Sequence, residues 1–267
     1  MMRGLHTPVR AIRRRVFKEV AQLGFKADAD MEAIPYAIVN EDSEKYRESV
    51  YRARAIVRER LRLAMGLSLR PENKPVHLTA GVEASNISEK YYEPPLMQVI
   101  PSACESCEEN KYEVSNICKG CLAHPCQEVC PKDAISMVNG RSYIDQEKCI
   151  KCGKCKSVCP YDAIAKKERP CQKACGVNAI KSDKMGRAYI DNEKCVSCGM
   201  CMVSCPFGAI SDKSQIFQLA RALSEGENVI AEIAPAFVGQ FGDNITPRNI
   251  KAALRELGFS EVYEVAL

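Results

Sequence analysis

The stretch Cys149-Ile-Lys-Cys152-Gly-Lys-Cys155-Lys-Ser-Val-Cys159-Pro160 decides how this chain folds. Its spacing is C-x2-C-x2-C-x3-C-P. The same spacing returns at Cys195, Cys198, Cys201 and Cys205-Pro206. A third run, Cys118, Cys121, Cys126 and Cys130-Pro131, has two extra residues between its second and third cysteines. All 16 cysteines of the chain lie between Cys104 and Cys205. Three closely spaced thiolates on a tight loop can each reach one iron of a single cubane. The fourth, placed by its proline as the chain leaves the loop, turns towards a neighbouring cluster. A zinc site needs only separated pairs around one tetrahedral ion, so the triplet runs point to [4Fe–4S] clusters instead.

This is the ligand pattern of bacterial ferredoxins, and it is repeated internally. Cys126-QEV-Cys130-PKDAI-SMVNG-RSYIDQEK-Cys149 aligns with Cys171-QKA-Cys175-GVNAI-KSDKMG-RAYIDNEK-Cys195. In the first copy Ile135–Val138 and 142–144 read as strands joined by an Asn139-Gly140 type I′ turn. The second copy turns near 184–186. Crossed ligation then gives one cluster to Cys118, Cys121, Cys126 and Cys159, and another to Cys130, Cys149, Cys152 and Cys155. A third falls to Cys175, Cys195, Cys198 and Cys201. Cys171 and Cys205 are left with the pair Cys104 and Cys107 for a fourth. A partition that exchanges Cys104/Cys107 with Cys118/Cys121 fits the spacing as well. Gly176 stands where the pattern has proline, which weakens the expectation for Cys175. His124, beside Cys126, reads as a loop histidine without a ligand role, and His6 and His77 as surface residues. Metal binding is expected to supply much of this segment's folding free energy.

Sixteen cysteines with no signal-peptide pattern and no apolar run near 18 residues argue against a secreted disulfide scaffold and a membrane span. A cytoplasmic setting is expected. The formal charge of +4 counts thiols as neutral. Four clusters, each −2 with its thiolates, would turn it to about −4, so no nucleic-acid partner is expected. Residues 1–66 carry 14 Lys+Arg against 9 Asp+Glu. Without aromatic stacking residues or a DNA-binding motif, that excess reads as a solvated helix face beside an acidic cluster domain.

Thr7-Pro8 starts a helix through Val9, Ile12, Val16, Val20 and Leu23, with Gly24 as its stop. A second helix is expected from Asp42 to Met65. Residues 67–100 read as an irregular connector. The first ferredoxin-like unit is expected over 101–165 and the second, completed by Cys104 and Cys107, over 166–212. From 213 to 267 a helix capped by Ser211 or Asp212 leads into strand Val229–Ile233. A helix opened by Thr246-Pro247 and stopped by Gly258 follows, then strand Val262–Leu267. That order predicts a βαβ unit with parallel strands. The fold class expected is α+β: a helical N-terminal region, tandem two-cluster units and a partial α/β segment.

Cys195-VSCGMCMVSCPFGAISDKSQI, Asn228-VIAEIAPAF and Ala252-ALRELGFSEVYEVAL together resemble [FeFe]-hydrogenases at the junction of accessory clusters and catalytic domain. The basic helical N-terminus and cysteine layout are similar to that family's cysteine-rich branch. The resemblance covers residues 100–267. It implies an electron relay to a catalytic H-cluster held by further cysteines, including a T-S-C-C-P motif. This sequence has no adjacent cysteine pair. The expectation is the electron-input part with the start of the catalytic domain, the remainder missing, inactive towards hydrogen alone and served by a redox partner such as a ferredoxin. A complete polyferredoxin subunit of another redox enzyme is the alternative.

Overall fold

A computed structural model describes residues 6–26, 30–40, 46–85, 94–242 and 244–265. In chain order come α1 (Pro8–Phe25), α2 (Ile34–Ile38), α3 (Val50–Ala64), α4 (Val82–Ser85) and β1 (Met97–Val99). The cysteine-rich part follows with β2 (Lys111–Val114), α5 (Pro125–Glu128), β3 (Ile135–Val138), β4 (Arg141–Ile144) and α6 (Lys154–Ser157). It continues with β5 (Ile164–Lys167), α7 (Pro170–Lys173), β6 (Ile180–Ser182), β7 (Ala188–Ile190) and α8 (Met200–Ser204). Last are β8 (Ile210–Asp212), α9 (Ile216–Ser224), β9 (Ile230–Ile233), α10 (Pro247–Glu256) and β10 (Glu261–Glu264). The result is a mixed structure of helices and small two-stranded sheets. The chain divides into two compact units: Cys104–Phe207, and Arg3–Ala103 together with Gly208–Leu267.

The cysteine-rich unit is built on short hairpins. β3 and β4 pair antiparallel across Asn139 and Gly140, both at positive φ as a type I′ turn requires. β6 and β7 pair likewise. β2 pairs with β5, an interaction with no local sequence signal because its halves lie far apart in the chain. Tyr112, Ile135, Ile144 and Ile164 pack with Cys126 and Cys155 in a small core. That core is small for a unit of this size.

The second unit has a larger core, in which Val16, Val20 and Leu23 of α1 meet Val57 and Leu61 of α3 and Phe217 of α9. The Thr7 hydroxyl accepts the Arg10 N–H and Pro8 opens α1. Gly24 does not stop the helix, which runs on to Phe25. It allows close approach instead, since a Cβ there would lie 2.4 Å from Cβ of Ala220 on α9. α3 begins at Val50, later than expected, and residues 42–45 of the expected helix lie outside the described residues. The connector 67–100 is not wholly irregular: it contains α4 and β1, which pairs antiparallel with β8. That pairing also takes Ser211 and Asp212 into a strand, so neither caps α9. The Ser214 hydroxyl instead accepts the Ile216 N–H. β9 and β10 run parallel with α10 between them, and Thr246 and Asn249 close a capping box. Of the strand expected over Val262–Leu267, residues 266–267 lie outside the described residues.

The arginines depart from the expected solvated face. Arg14 is exposed, but Arg60 and Arg62 retain only 2% and 6% of their exposure. Arg62 donates from Nε to the Ser68 carbonyl at 2.9 Å and from Nη1 to those of Leu78 and Ala80 at 2.8 and 2.9 Å. Arg60 donates to the Gly208 carbonyl, Arg52 to Ser102 and Arg54 to Val39. Irregular backbone leaves carbonyls without ladder partners, and a guanidinium fork can satisfy several at once. Arg62→Gln should lower this unit's stability by about 3 kcal/mol, because the buried carbonyls lose charged donors. Arg14→Gln should stay within about 0.5 kcal/mol of wild type. Urea unfolding followed by far-ultraviolet circular dichroism would separate the two variants; coincident midpoints would contradict this role for Arg62.

Candidate metal centres

The first C-x2-C pair of each run and the Cys104/Cys107 pair share one backbone feature. The residue before the second cysteine is left-handed: Ser106, Gly120, Lys151 and Ser197 have φ of 45°, 56°, 59° and 55°. For the three that are not glycine this costs roughly 1–2 kcal/mol each. The Cys104/Cys107 pair therefore shares this turn with the first pair of each of the three runs. Gly120 meets a second demand, since a Cβ there would lie 2.0 Å from the Gly140 carbonyl oxygen. The Cys118/Cys121 loop is seated directly on the β3–β4 turn.

The fourth cysteine of each run also has a shared setting. Three residues on, Asp133, Asp162, Asn178 and Gly208 are left-handed. Four residues on, the N–H of Ala134, Ala163 and Ala179 donates to Sγ of Cys130, Cys159 and Cys175 at 3.3, 3.3 and 3.2 Å. Such donors can support a metal-bound sulfur from outside its ligand shell. The Gly176 substitution leaves this turn unchanged: Cys175 receives the same bond as Cys130 and Cys159. Sequence reasoning missed these donors, although the recurrence of Ala-Ile after each fourth cysteine (134–135, 163–164, 179–180 and 209–210) was a readable sign of them. It also missed Ser142, whose hydroxyl lies 3.3 Å from Cys126 Sγ, and Arg169.

The structure brings eight of the thiols together in two cavities. Cys118, Cys121, Cys126 and Cys159 line one cavity, with Gly120, Pro125, Ser142 and Ile164. His124 lies outside that lining. Cys130, Cys149, Cys152 and Cys155 line a second with Tyr112, Ile135 and Ile144. Each holds a little over 300 Å³ counting its open mouth, at 330 and 340 Å³. Around Cys171, burial pushes the thiol up to about 12; Cys205 and Cys104 add to the rise, and Arg169 opposes it. Cys107 is raised by burial first, then by Cys205 and Cys104. Ala188 donates its N–H to Cys104 Sγ at 3.3 Å, joining that pair to β7. Cys201 is pushed up to about 11 by burial, with Cys195, Cys175 and Cys198 as its charged neighbours. For Cys118 burial is outweighed by hydrogen bonds from Ser142 and Gly120, and the thiol lies below its ordinary value. None of the sixteen cysteines is in a disulfide. Among the described residues no three His, Cys, Asp or Glu side chains converge as a site for one metal ion. The donor set, all thiol with backbone donors aimed at sulfur, fits a sulfur-bridged cluster, whose thiolates attach to separate irons.

Comparison with known proteins agrees with this chemistry. The LdpA Fe-S cluster-binding domain matches residues 118–169 and a 4Fe-4S binding domain matches 188–211. The C-terminal domain of the iron only hydrogenase large subunit matches 227–267. An uncharacterized ferredoxin of Methanocaldococcus jannaschii is 33% identical over 30% of this chain and 63% of its own length. The electron transport protein HydN of Escherichia coli is 37% identical over 26% of this chain and 41% of its own. Ferredoxin 7Fe of Hydrogenibacillus schlegelii is 43% identical over 20% of this chain and 68% of its own. The chain thus spans less than two thirds of the first two relatives. Matched domains and free thiols define an iron–sulfur protein with ferredoxin-type cluster-binding domains. The chain belongs to the ferredoxin family. Among the described residues no helix is long and apolar enough to cross a membrane.

Burial and thiol acidity also set reactivity in the metal-free protein. Cys152 and Cys198 are exposed, whereas Cys171 and Cys201 are buried and raised. Since the thiolate is the nucleophile, iodoacetamide at pH 8 should label Cys152 and Cys198 first and Cys171 and Cys201 last. The raised thiols contribute stability that is complete below the ordinary thiol value of 9.0 and lost as pH rises towards about 12. Peptide mapping of the labelled protein gives the order; uniform labelling of the folded chain would contradict it.

Proposed function

We propose that the chain is the electron-transfer portion of a hydrogenase-like oxidoreductase, relaying single electrons through four [4Fe–4S] clusters between an external carrier and a hydrogen-active site. The observation that carries this reading is the presence, on one chain, of sixteen free cysteines, eight of them lining two cavities, and a match to the iron only hydrogenase C-terminal domain at residues 227–267. The clusters would be held by Cys118, Cys121, Cys126 and Cys159; by Cys130, Cys149, Cys152 and Cys155; by Cys175, Cys195, Cys198 and Cys201; and by Cys104, Cys107, Cys171 and Cys205. Bound there, each supplies a one-electron centre. The protein's own contribution is to fix the thiols on left-handed turns, to donate backbone N–H groups to sulfur, and to limit water around Cys126, Cys155, Cys171, Cys201 and Cys205, all buried.

The partition has support in the two thiol-lined cavities and in the neighbours of Cys107, Cys171 and Cys201. Anaerobic reconstitution should load about sixteen irons and sixteen sulfides. Cys104→Ser and Cys171→Ser should each remove the same cluster signal in electron paramagnetic resonance. Loss of different signals would favour the exchanged partition, and zinc without sulfide would refute the cluster reading altogether.

A complete polyferredoxin-type carrier is the second reading, favoured by relatives that are themselves ferredoxins and an electron transport protein. Both readings need an external carrier, and a basic surface patch supports a docking face for one. Lys148, Lys151, Lys154 and Lys156 are all exposed around the exposed Cys152. An acidic carrier such as a ferredoxin would be steered there. Exchanging these four lysines for glutamine should slow reduction by an acidic ferredoxin about tenfold at low salt and leave little difference at 0.5 M salt, where screening removes the steering. Equal stopped-flow rates at low salt would exclude this docking face.

A further inference from the structure

We propose that Arg169 is the positioning residue of the centre formed by Cys104, Cys107, Cys171 and Cys205, tying the Cys104–Cys107 loop to the second repeat and holding a fixed positive charge beside these sulfurs. The proposal rests on the reading, made above, that these four cysteines share one cluster.

The geometry is that of a tether. Arg169 lies two residues before Cys171, and its side chain keeps only 3% of its exposure. Its Nε and Nη2 donate to the Cys107 carbonyl at 3.0 and 2.7 Å, a two-pronged hold on a ligand loop 62 residues away in sequence. Nη2 also donates to the Gly186 carbonyl at 2.8 Å and Nη1 to that of Lys181 at 3.4 Å. One guanidinium thus joins the Cys107 loop, the start of α7 and the β6–β7 hairpin.

The internal repeat explains why this copy needs such a group. Aligning Cys126 with Cys171 places His124 opposite Arg169 and Pro125 opposite Pro170. In the first copy Cys121 is joined to Cys126 by a short loop, so its C-x2-C pair arrives on the same piece of chain. In the second copy the pair comes from far upstream and has no such covalent link. A planar fork of donors fixed in a buried position takes the place of that short loop.

The charge has its own consequence. One electron taken up from a reductant carries a four-thiolate [4Fe–4S] centre from −2 to −3. A buried cation favours the more negative state, so it raises the reduction potential. Arginine stays charged at every working pH. The carboxylate facing it is Glu109, 3.6 Å from Nη1. Glu109 is 45% exposed, so water screens much of its opposing effect.

The full chain, reconstituted anaerobically, tests this with two variants. Arg169→Gln removes both the charge and most of the fork. One cluster signal should then titrate at a lower potential against dithionite, or be lost with about four of about sixteen irons, while the other signals hold. Arg169→Lys keeps the charge without the fork. The potential of that signal should stay near wild type, while a chelator should remove that cluster's iron at least several-fold faster. Full iron content with unchanged potentials and chelator kinetics in Arg169→Gln would overturn the proposal. So would indiscriminate loss of clusters in Arg169→Lys, which would mark a general folding role. Cys104→Ser and Cys171→Ser serve as references. If they remove one common signal that Arg169 variants leave untouched, the proposal fails and the shared centre stands. If they remove different signals, the shared centre itself fails.

Discussion

Sixteen thiols in about a hundred residues oppose one another once ionised, and burial opposes ionisation as well. This conflict governs the cysteine-rich unit. It is visible at Cys171, pushed up to about 12 by burial and then by Cys205 and Cys104. A protein of this kind must hold its thiols close without disulfide formation and must let a metal centre neutralise them. The backbone meets the first need with left-handed residues before Cys107, Cys121, Cys152 and Cys198 and after each fourth cysteine. It meets the second with N–H groups from Ala134, Ala163, Ala179 and Ala188 directed at sulfur. Both are backbone devices, which is why they survive the replacement of proline by Gly176.

The other unit answers a different constraint. It is assembled from segments on either side of the cysteine-rich stretch, and much of its backbone is irregular. Its apolar core is sufficient for α1, α3 and α9, but the loops around them carry carbonyls that no ladder satisfies. Arg15, Arg52, Arg54, Arg60 and Arg62 donate to these carbonyls. A basic composition that suggests binding to a polyanion is thus largely spent inside the fold. Charge counts along a sequence do not distinguish arginines facing water from arginines facing carbonyls.

Much of the site was legible because ligand spacing is a local property. The C-x2-C pairs and the β3–β4 hairpin are each written within a few residues, and so are the caps at Thr7 and Thr246. The candidate ligands of the second copy show only in the internal alignment, and Cys104 and Cys107 enter only as the pair left over. Their left-handed Ser106 and the Ala188 N–H on Cys104 are structural facts that no spacing rule contains.

The sequence by itself determined the chemistry, the hairpins and the parallel βαβ segment, because thiol spacing, turn residues and hydrophobic period act over short distances. The tertiary structure alone decided which distant segments meet. It paired β1 with β8 and β2 with β5, passed α1 close over α9 at Gly24 and Ala220, and set Arg169 on the Cys107 loop. Each of these contacts depends on chain closure over long separations, and their partners share no local pattern. Only the packed chain selects them, by satisfying buried carbonyls and filling close contacts together.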